Sequence, residues 1–246
     1  MFKLFSKSSS TTPDYSKLVA DMHSHLLPGI DDGSPSLETS IELIRKMMKL
    51  GFKKFVTTPH IMWEMYKNTP EIINEKLELL RLALKSEGID AEIKAAAEYF
   101  LDDHVEKLLA TKQKLLTVAD NMVLVEFSLA NQPFGVKEIL FELVMQGYQP
   151  IIAHPERYIY FEQAKEFYDE LKDAGCYFQL NLNSISGYYG KSAEKLAQYL
   201  LKKEYYSFVG SDLHHFRHID ALSNPVITPV LQKLVDSGKI MNSKLF

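Results

Sequence analysis

Apolar residues along this chain fall into two alternating patterns: short unbroken runs, and longer stretches spaced three or four residues apart. The runs lie at 18–23, 54–58, 91–96, 122–127, 150–154, 176–182 and 207–211, and their length predicts strands. The stretches between and after them, at 35–50, 70–87, 103–110, 134–147, 161–174, 191–203 and 225–238, predict helices. Ser36 stands where an N-cap belongs, and Gly51, Gly88, Gly147 and Gly175 stand where helix-ending glycines belong. The alternation makes seven β/α units. Runs such as Val123-Leu124-Val125 have no polar face, which predicts a parallel sheet covered by helices on both sides. No nucleotide-binding glycine loop marks a switch point in an open sheet, so the units predict a closed or nearly closed α/β barrel.

Residues 1–17 depart from this pattern. Ser-Ser-Ser-Thr-Thr-Pro at 8–13 cannot bury enough surface to order itself, so this segment is expected to be a flexible tail or an arm packed on a single domain, 18–246. Phe2, Leu4 and Phe5, flanked by Lys3 and Lys7, would bind a membrane surface only marginally. A hydrophobic fraction of 46% supports a large core, and a net charge of -4 gives no basic footprint for nucleic acid. The single cysteine rules out an intramolecular disulfide and fits a reducing compartment. No apolar run reaches the length of a transmembrane helix and the N-terminus does not read as a signal peptide, so a cytoplasmic protein is expected. No signal bears on oligomeric state.

The polar residues at the ends of the apolar runs change the picture. His23 and His25 close the first strand, His60 follows the second, Glu98 the third, Glu126 ends the fourth, His154 the fifth, and Asp212 and His214 follow the seventh; Asp32 lies in the first loop. Catalytic groups of β/α barrels come from the C-terminal ends of strands and the loops beyond them. Residues two apart on a strand share a face, so each His-x-His or Asp-x-His pair can reach one metal. A lone His-x-His is usually incidental, but carboxylates such as Glu98 and Glu126 are costly to bury unless paired or metal-bound. Ligand types at so many strand ends point to a multinuclear site for Mn²⁺, Fe or Zn²⁺, and hence to a metal-dependent hydrolase. His104, His215 and His218 are read as groups at the surface or just behind the ligands, with His215 and His218 near enough in sequence to line a pocket, and Met47 and Met48 as packing. Cys176 lacks the arginine six residues on that a thiol phosphatase loop needs, and is read as a buried hydrophobe.

The segment Asp21-Met22-His23-Ser24-His25-Leu26-Leu27-Pro28-Gly29-Ile30-Asp31-Asp32-Gly33-Ser34 resembles the polymerase and histidinol phosphatase (PHP) superfamily. Thr57-Thr58-Pro59-His60, Ala97-Glu98-Tyr99, Ala153-His154-Pro155-Glu156-Arg157 and Gly210-Ser211-Asp212-Leu213-His214 follow in the same order. The His-x-His start is shared across the superfamily, whereas Leu-Pro-Gly-Ile-Asp-Asp-Gly resembles its bacterial tyrosine-protein phosphatase branch, linked to capsule and exopolysaccharide synthesis. The resemblance runs from about residue 18 to the C-terminus.

It implies a distorted TIM-like (β/α)7 barrel with three divalent metal ions, Mn²⁺ or else Fe or Zn²⁺. His23, His25, Glu98 and Asp212 would hold the first metal; Glu98, bridging, with Glu126 and His154 the second; and Asp32, His60 and His214 the third. Arg157 matches the phosphate-binding arginine, with Arg217 a second candidate. The implied substrate is a phosphotyrosine protein, such as the phosphorylated tail of a bacterial tyrosine kinase. Physically, a hydroxide shared between two metals could attack phosphorus in line with no covalent enzyme intermediate, and the planar fork of an arginine suits phosphate better than a lysine does.

Several residues keep two readings. Asp31 either caps its loop or takes part in proton transfer; the loop 61–66, with Tyr158, Tyr160, Tyr188 and Tyr189, either receives a phosphotyrosine ring or simply packs. Two other functions stand beside the protein phosphatase: a small-molecule phosphomonoesterase such as a histidinol phosphatase, and a metal-binding regulator without turnover, against which the complete ligand set argues.

Overall fold

The computed structural model describes residues 12–246. In chain order the elements are β1 (Ala20–Asp21), α1 (Leu37–Lys49), β2 (Lys54–Thr57), β3 (His60–Ile61), α2 (Pro70–Ser86), β4 (Glu92–Ala95), β5 (Glu98–Phe100), α3 (Asp103–Ala110) and β6 (Met122–Glu126). There follow α4 (Val136–Met145), β7 (Gln149–Ala153), α5 (Glu166–Asp173), β8 (Tyr177–Asn181), α6 (Leu182–Ile185), α7 (Lys191–Lys202), β9 (Tyr206–Gly210), α8 (Phe216–Leu222) and α9 (Ile227–Asp236).

All pairings between these strands are parallel. β2 and β3 are two parts of one stave broken at Thr58-Pro59, where proline has no N–H to give a ladder; β4 and β5 break opposite it. Pairing survives the break, because Ala96 N–H donates to the Thr57 carbonyl (2.9 Å) and Glu98 N–H to that of Pro59 (3.1 Å). The order β1-β2-β4 and β3-β5-β6-β7-β8-β9 therefore describes seven staves. The ring closes where Ser24 bridges Leu213, with His25 N–H donating to the Leu213 carbonyl (2.9 Å) and Asp212 N–H to that of His23 (2.8 Å). The expected barrel of β/α units is thus observed. The short helices α6 and α8 were not expected: at four and seven residues they are too brief to show a helical period.

Side chains alternate between two cores. Met122 and Leu124 of β6 join Val56, Ile151 and Phe208 inside the barrel, while Val123 and Val125 face the helices. The chain's end packs against this inner core through Leu245, and the Asn242 side chain donates to the Ala20 (2.9 Å) and Val209 (2.7 Å) carbonyls. At α1 the predicted cap is in place, Ser36 Oγ accepting from Thr39 N–H at 3.2 Å.

Of the two forms expected for the N-terminal segment, the described part takes that of a packed arm. Residues 1–11 of the expected tail lie outside the described residues, but the stretch before residue 18 is anchored. Tyr15 is fully buried, stacks on Phe52 with ring centroids 5.0 Å apart, and donates its hydroxyl to the Leu222 carbonyl at 2.7 Å. Tyr15, with buried Pro13 two residues before it, supplies the apolar area that holds this short segment. No helix among the described residues is long and apolar enough to cross a membrane.

Candidate metal centre

The same alternation carries charge to the barrel mouth. Glu126 continues the inward face of Met122 and Leu124, and Glu98 follows inward-facing Ala96. His154 and Asp212 lie just past β7 and β9 with φ of 33° and 49°, left-handed values that cost a non-glycine residue on the order of 1–3 kcal/mol. Those turns bring His154 Nε2 to 3.1 Å from Glu98 Oε1 and Asp212 Oδ1 to 3.3 Å from His23 Nε2.

All nine expected ligands meet there. His23 Nε2 lies 3.2 Å from both His25 Nε2 and Glu98 Oε2, and His25 Nε2 lies 3.4 and 3.5 Å from Glu98 Oε2 and Asp212 Oδ1. Ligands bonded to a tetrahedral metal at about 2.0–2.1 Å stand about 3.4 Å apart, which these spacings match. His60 Nδ1 is 3.2 Å from Glu98 Oε2 and 3.0 Å from Glu126 Oε1, while Asp32 Oδ1 is 3.4 Å from His60 Nε2 and 3.5 Å from His214 Nε2.

Three overlapping groups result: His23, Glu98, His154 and Asp212; His60, Glu98 and Glu126; and His25, Asp32, His60 and His214. Glu98 is shared by two of them, as a bridge would be. The partition differs from the implied one in that His154 gathers with His23, His60 also faces Glu126, and His25 lies near the outer group as well as His23. Glu98 Oε2, Glu126 Oε1 and His60 Nδ1 are buried without a hydrogen bond. Such groups cost about 1–3 kcal/mol each, a penalty that a cation would remove, so the residues fit a metal cluster.

The protein also fixes which imidazole nitrogen faces inward. Gln179 Oε1 accepts the His154 backbone N–H (3.2 Å), which can only donate, so its other contact, His23 Nδ1 at 2.9 Å, must carry the proton. His25 Nδ1 donates to Asp31 Oδ2 (2.8 Å), and His214 Nδ1 to the Asp212 carbonyl (2.9 Å). In the neutral rings this leaves three Nε2 lone pairs for metal. Asp31 also accepts from Gly33 N–H (2.9 Å) and His60 N–H (3.2 Å), so it caps its loop and orients His25. Gly33 is required here, since a Cβ would stand 2.3 Å from that of His25.

Burial alone would raise the Glu98 and Asp212 carboxyls, yet both are held well below the usual range, Glu98 chiefly by His23 and His60 and Asp212 chiefly by His23 and His214. Burial would lower His60, but facing Glu126 and Glu98 it is raised to about 9. Each sign of charge therefore stabilises the other, in a site that a divalent ion can enter by displacing protons.

Above the cluster is a cavity of about 520 Å³ lined by Glu126, His154, Asp212 and Arg157, with Tyr66 and Tyr189 among its walls. Arg157 Nη1 donates to Asp212 Oδ2 (2.7 Å), and its guanidinium lies 4.3 Å from the Tyr189 ring centroid. The turn bearing Arg157 is tied down by buried Glu156, which accepts from Asn181 N–H (2.9 Å), Ser184 Oγ (2.8 Å) and the Tyr206 hydroxyl (2.8 Å). Arg217 is not brought to this cavity. On α8 the buried His218 faces inward, so Arg217, about 100° around the helix, is exposed.

The remaining aromatic candidates divide. Tyr158 is core, its hydroxyl donating to the Ala153 carbonyl (3.1 Å), and Tyr160 donates to that of Ser128 (2.6 Å). His215 and His218 line the cavity, as do Met62, Met65 and Tyr66 of the 61–66 loop, while Trp63 turns away. Gln179 and Asn181 went unread in the sequence, although their period-two spacing in Tyr177-Phe178-Gln179-Leu180-Asn181 sets polar groups on a barrel-facing side. Asn181 Nδ2 donates to Asp212 Oδ2 at 2.9 Å.

Against known proteins, the family model for capsular polysaccharide synthesis, CpsB/CapC, matches residues 19–232. The tyrosine-protein phosphatase YwqE of Bacillus subtilis is 30% identical over 197 residues, covering 80% of this chain and 78% of that protein. A solved structure from work on YwqE of Bacillus subtilis and CpsB of Streptococcus pneumoniae, described as metal-dependent tyrosine phosphatases, superposes with a TM-score of 0.75 at 27% identity, covering 90% of this chain and 96% of that one. Histidinol phosphate phosphatase of Lactococcus lactis, solved with zinc, L-histidinol and phosphate, shares the fold with a TM-score of 0.54 at 13% identity, covering 94% of this chain and 95% of that one.

Proposed function

This chain belongs to the CpsB/CapC family of capsular polysaccharide synthesis, and from that premise we propose that it is a metal-dependent protein-tyrosine phosphatase. The observation that carries the reading is the placement of the Arg157 guanidinium on the wall of the cavity whose floor is the His and carboxylate cluster. Three divalent ions, Mn²⁺ in the first instance, are the cofactors of this reading, and the three overlapping ligand groups support it. When bound, they would supply Lewis acidity to polarise phosphate and to lower the pKa of water.

The chain's own residues do the rest. His23, His25 and His214 hold inward nitrogens through their Nδ1 partners, and Glu98 joins two groups. Arg157, stacked on Tyr189, offers a planar pair of donors to the phosphoryl oxygens. Arg217 is given no part. The substrate is a phosphotyrosine protein, with the tail of a bacterial tyrosine kinase in the cytoplasm as the proposed partner.

A panel of phosphotyrosine peptide, phosphoserine peptide and histidinol phosphate, offered to Mn²⁺-reconstituted protein, tests this reading. Phosphotyrosine peptide should have the highest kcat/KM, by about tenfold or more, which corresponds to about 1.4 kcal/mol in the barrier. A preference for histidinol phosphate would replace the proposal with a small-molecule phosphatase, and no turnover of any of the three would leave a metal-binding regulator.

A further inference from the structure

A second cavity, of about 1460 Å³, runs beside the first and shares Met62, Met65 and Phe100 with it. The metal cavity, at about 520 Å³, falls within the roughly 300–1,000 Å³ of small-molecule sites, which suits one phosphorylated side chain. Its neighbour exceeds that range. Its wall carries a built aromatic shelf: Trp63 stacks on His104 with centroids 3.8 Å apart and planes 10° from parallel. Trp63 N–H donates to Asp102 Oδ2 (3.2 Å), while Asp102 Oδ1 accepts from His104 N–H (2.9 Å) and Val105 N–H (3.1 Å). The loop after β3 and the start of α3 are therefore held as one unit. Trp63 is nonetheless 37% exposed and Met65 66% exposed, apolar surface that the packing of the described residues leaves uncovered.

We propose that this second cavity receives the polypeptide flanking the phosphotyrosine of a protein substrate, with the Trp63–His104 pair as the shelf for a neighbouring side chain. The inference rests on the phosphotyrosine reading above. A tyrosine whose phosphate sits at the cluster leaves its main chain at the cavity mouth, and the chain must continue over the rim. The shared residues Met62, Met65 and Phe100 make the larger cavity continuous with that exit. Around it Glu64, Glu71, Asp102 and Asp103 outnumber Lys107 and Lys114, so the accepted flank is neutral or basic.

Trp63 is the only tryptophan in the chain, so its fluorescence reports on this cavity directly. Mn²⁺-loaded full-length protein is titrated with a peptide carrying a non-hydrolysable phosphonate analogue of phosphotyrosine between neutral or basic flanks, and separately with the single amino-acid phosphonate. Both should inhibit p-nitrophenyl phosphate hydrolysis, but only the peptide should shift the Trp63 emission. Trp63→Ala and His104→Ala should each lower kcat/KM for the corresponding phosphopeptide about tenfold, leaving that for p-nitrophenyl phosphate within about twofold.

Inhibition by the peptide with no emission change, or an equal loss on both substrates in folded variants, overturns the proposal. An emission shift that depends on protein concentration without peptide assigns the cavity to a second copy and also overturns it. Should wild-type protein hydrolyse p-nitrophenyl phosphate but not phosphotyrosine peptides, the underlying reading fails and this inference with it, a result distinct from failure of the cavity alone.

Discussion

Gln179 offers the most direct test of how the cluster is built. Its Oε1 accepts from both His23 Nδ1 and the His154 backbone N–H, at 2.9 and 3.2 Å, in a fully buried position. Gln179→Leu would strand two buried donors at about 1–3 kcal/mol each, roughly 2–6 kcal/mol in sum, a serious loss against the ~5–15 kcal/mol stability of a typical domain. Freed from its acceptor, His23 can turn or change tautomer, and loss of such an outer contact typically weakens metal binding about 10- to 100-fold. Gln179→Glu separates the two effects. It keeps an oxygen for His23 and the His154 amide but loses the Nε2 donor to the Leu180 carbonyl, now at 2.7 Å. Calorimetric Mn²⁺ titration of metal-stripped protein, with thermal melts, should show affinity for Gln179→Glu within about tenfold of wild type and a larger loss for Gln179→Leu. Equal affinities for the leucine variant and wild type, or no advantage of glutamate over leucine, would refute orientation of His23 as the role of this residue.

Other consequences can be measured separately. Exhaustive chelation should abolish hydrolysis and Mn²⁺ should restore it; activity that survives chelation counts against the cluster. Arg217→Ala should retain kcat/KM for phosphotyrosine peptide within about twofold, whereas Arg157→Ala should lose about 10²-fold, and the reverse order would reinstate Arg217. Burial pushes the Cys176 thiol up to about 11, so thiolate is scarce at neutral pH and appears only as pH rises toward that value. Iodoacetamide at pH 7.5 should therefore leave activity intact, and rapid inactivation tracking Cys176 alkylation would contradict this. Tyr15→Ala should destabilise the fold by about 3–5 kcal/mol in denaturant melts, by loss of a buried aromatic; a change below about 1 kcal/mol would return residues 12–17 to the tail.

The helices were legible wherever apolar spacing persisted over several turns, and α3 lies at the predicted 103–110. The apolar run 54–58 stops before Pro59, but the stave that holds β2 and β3 does not. Backbone pairing carries it on, so His60 pairs with Glu98 from within a strand. α8 was invisible at seven residues, and the direction of Arg217 was invisible with it.

The sequence by itself determined the β/α order and the residue types at the strand ends, because burial imposes a two-residue period on strands and makes an inward carboxylate or imidazole conspicuous. Only the tertiary structure decided which of those groups meet. Closing the ring through Ser24 and Leu213 brings His23 and His25 against Asp212, across 189 and 187 positions of chain. His154 and Asp212 turn through left-handed backbone, and the Gln179 contact that selects a nitrogen on His23 comes from 156 positions away, whereas Asp31 reaches His25 from within the same loop. Chemical identity is local and can be read along a sequence, whereas coordination depends on distances of a few ångströms between segments that only the fold brings together.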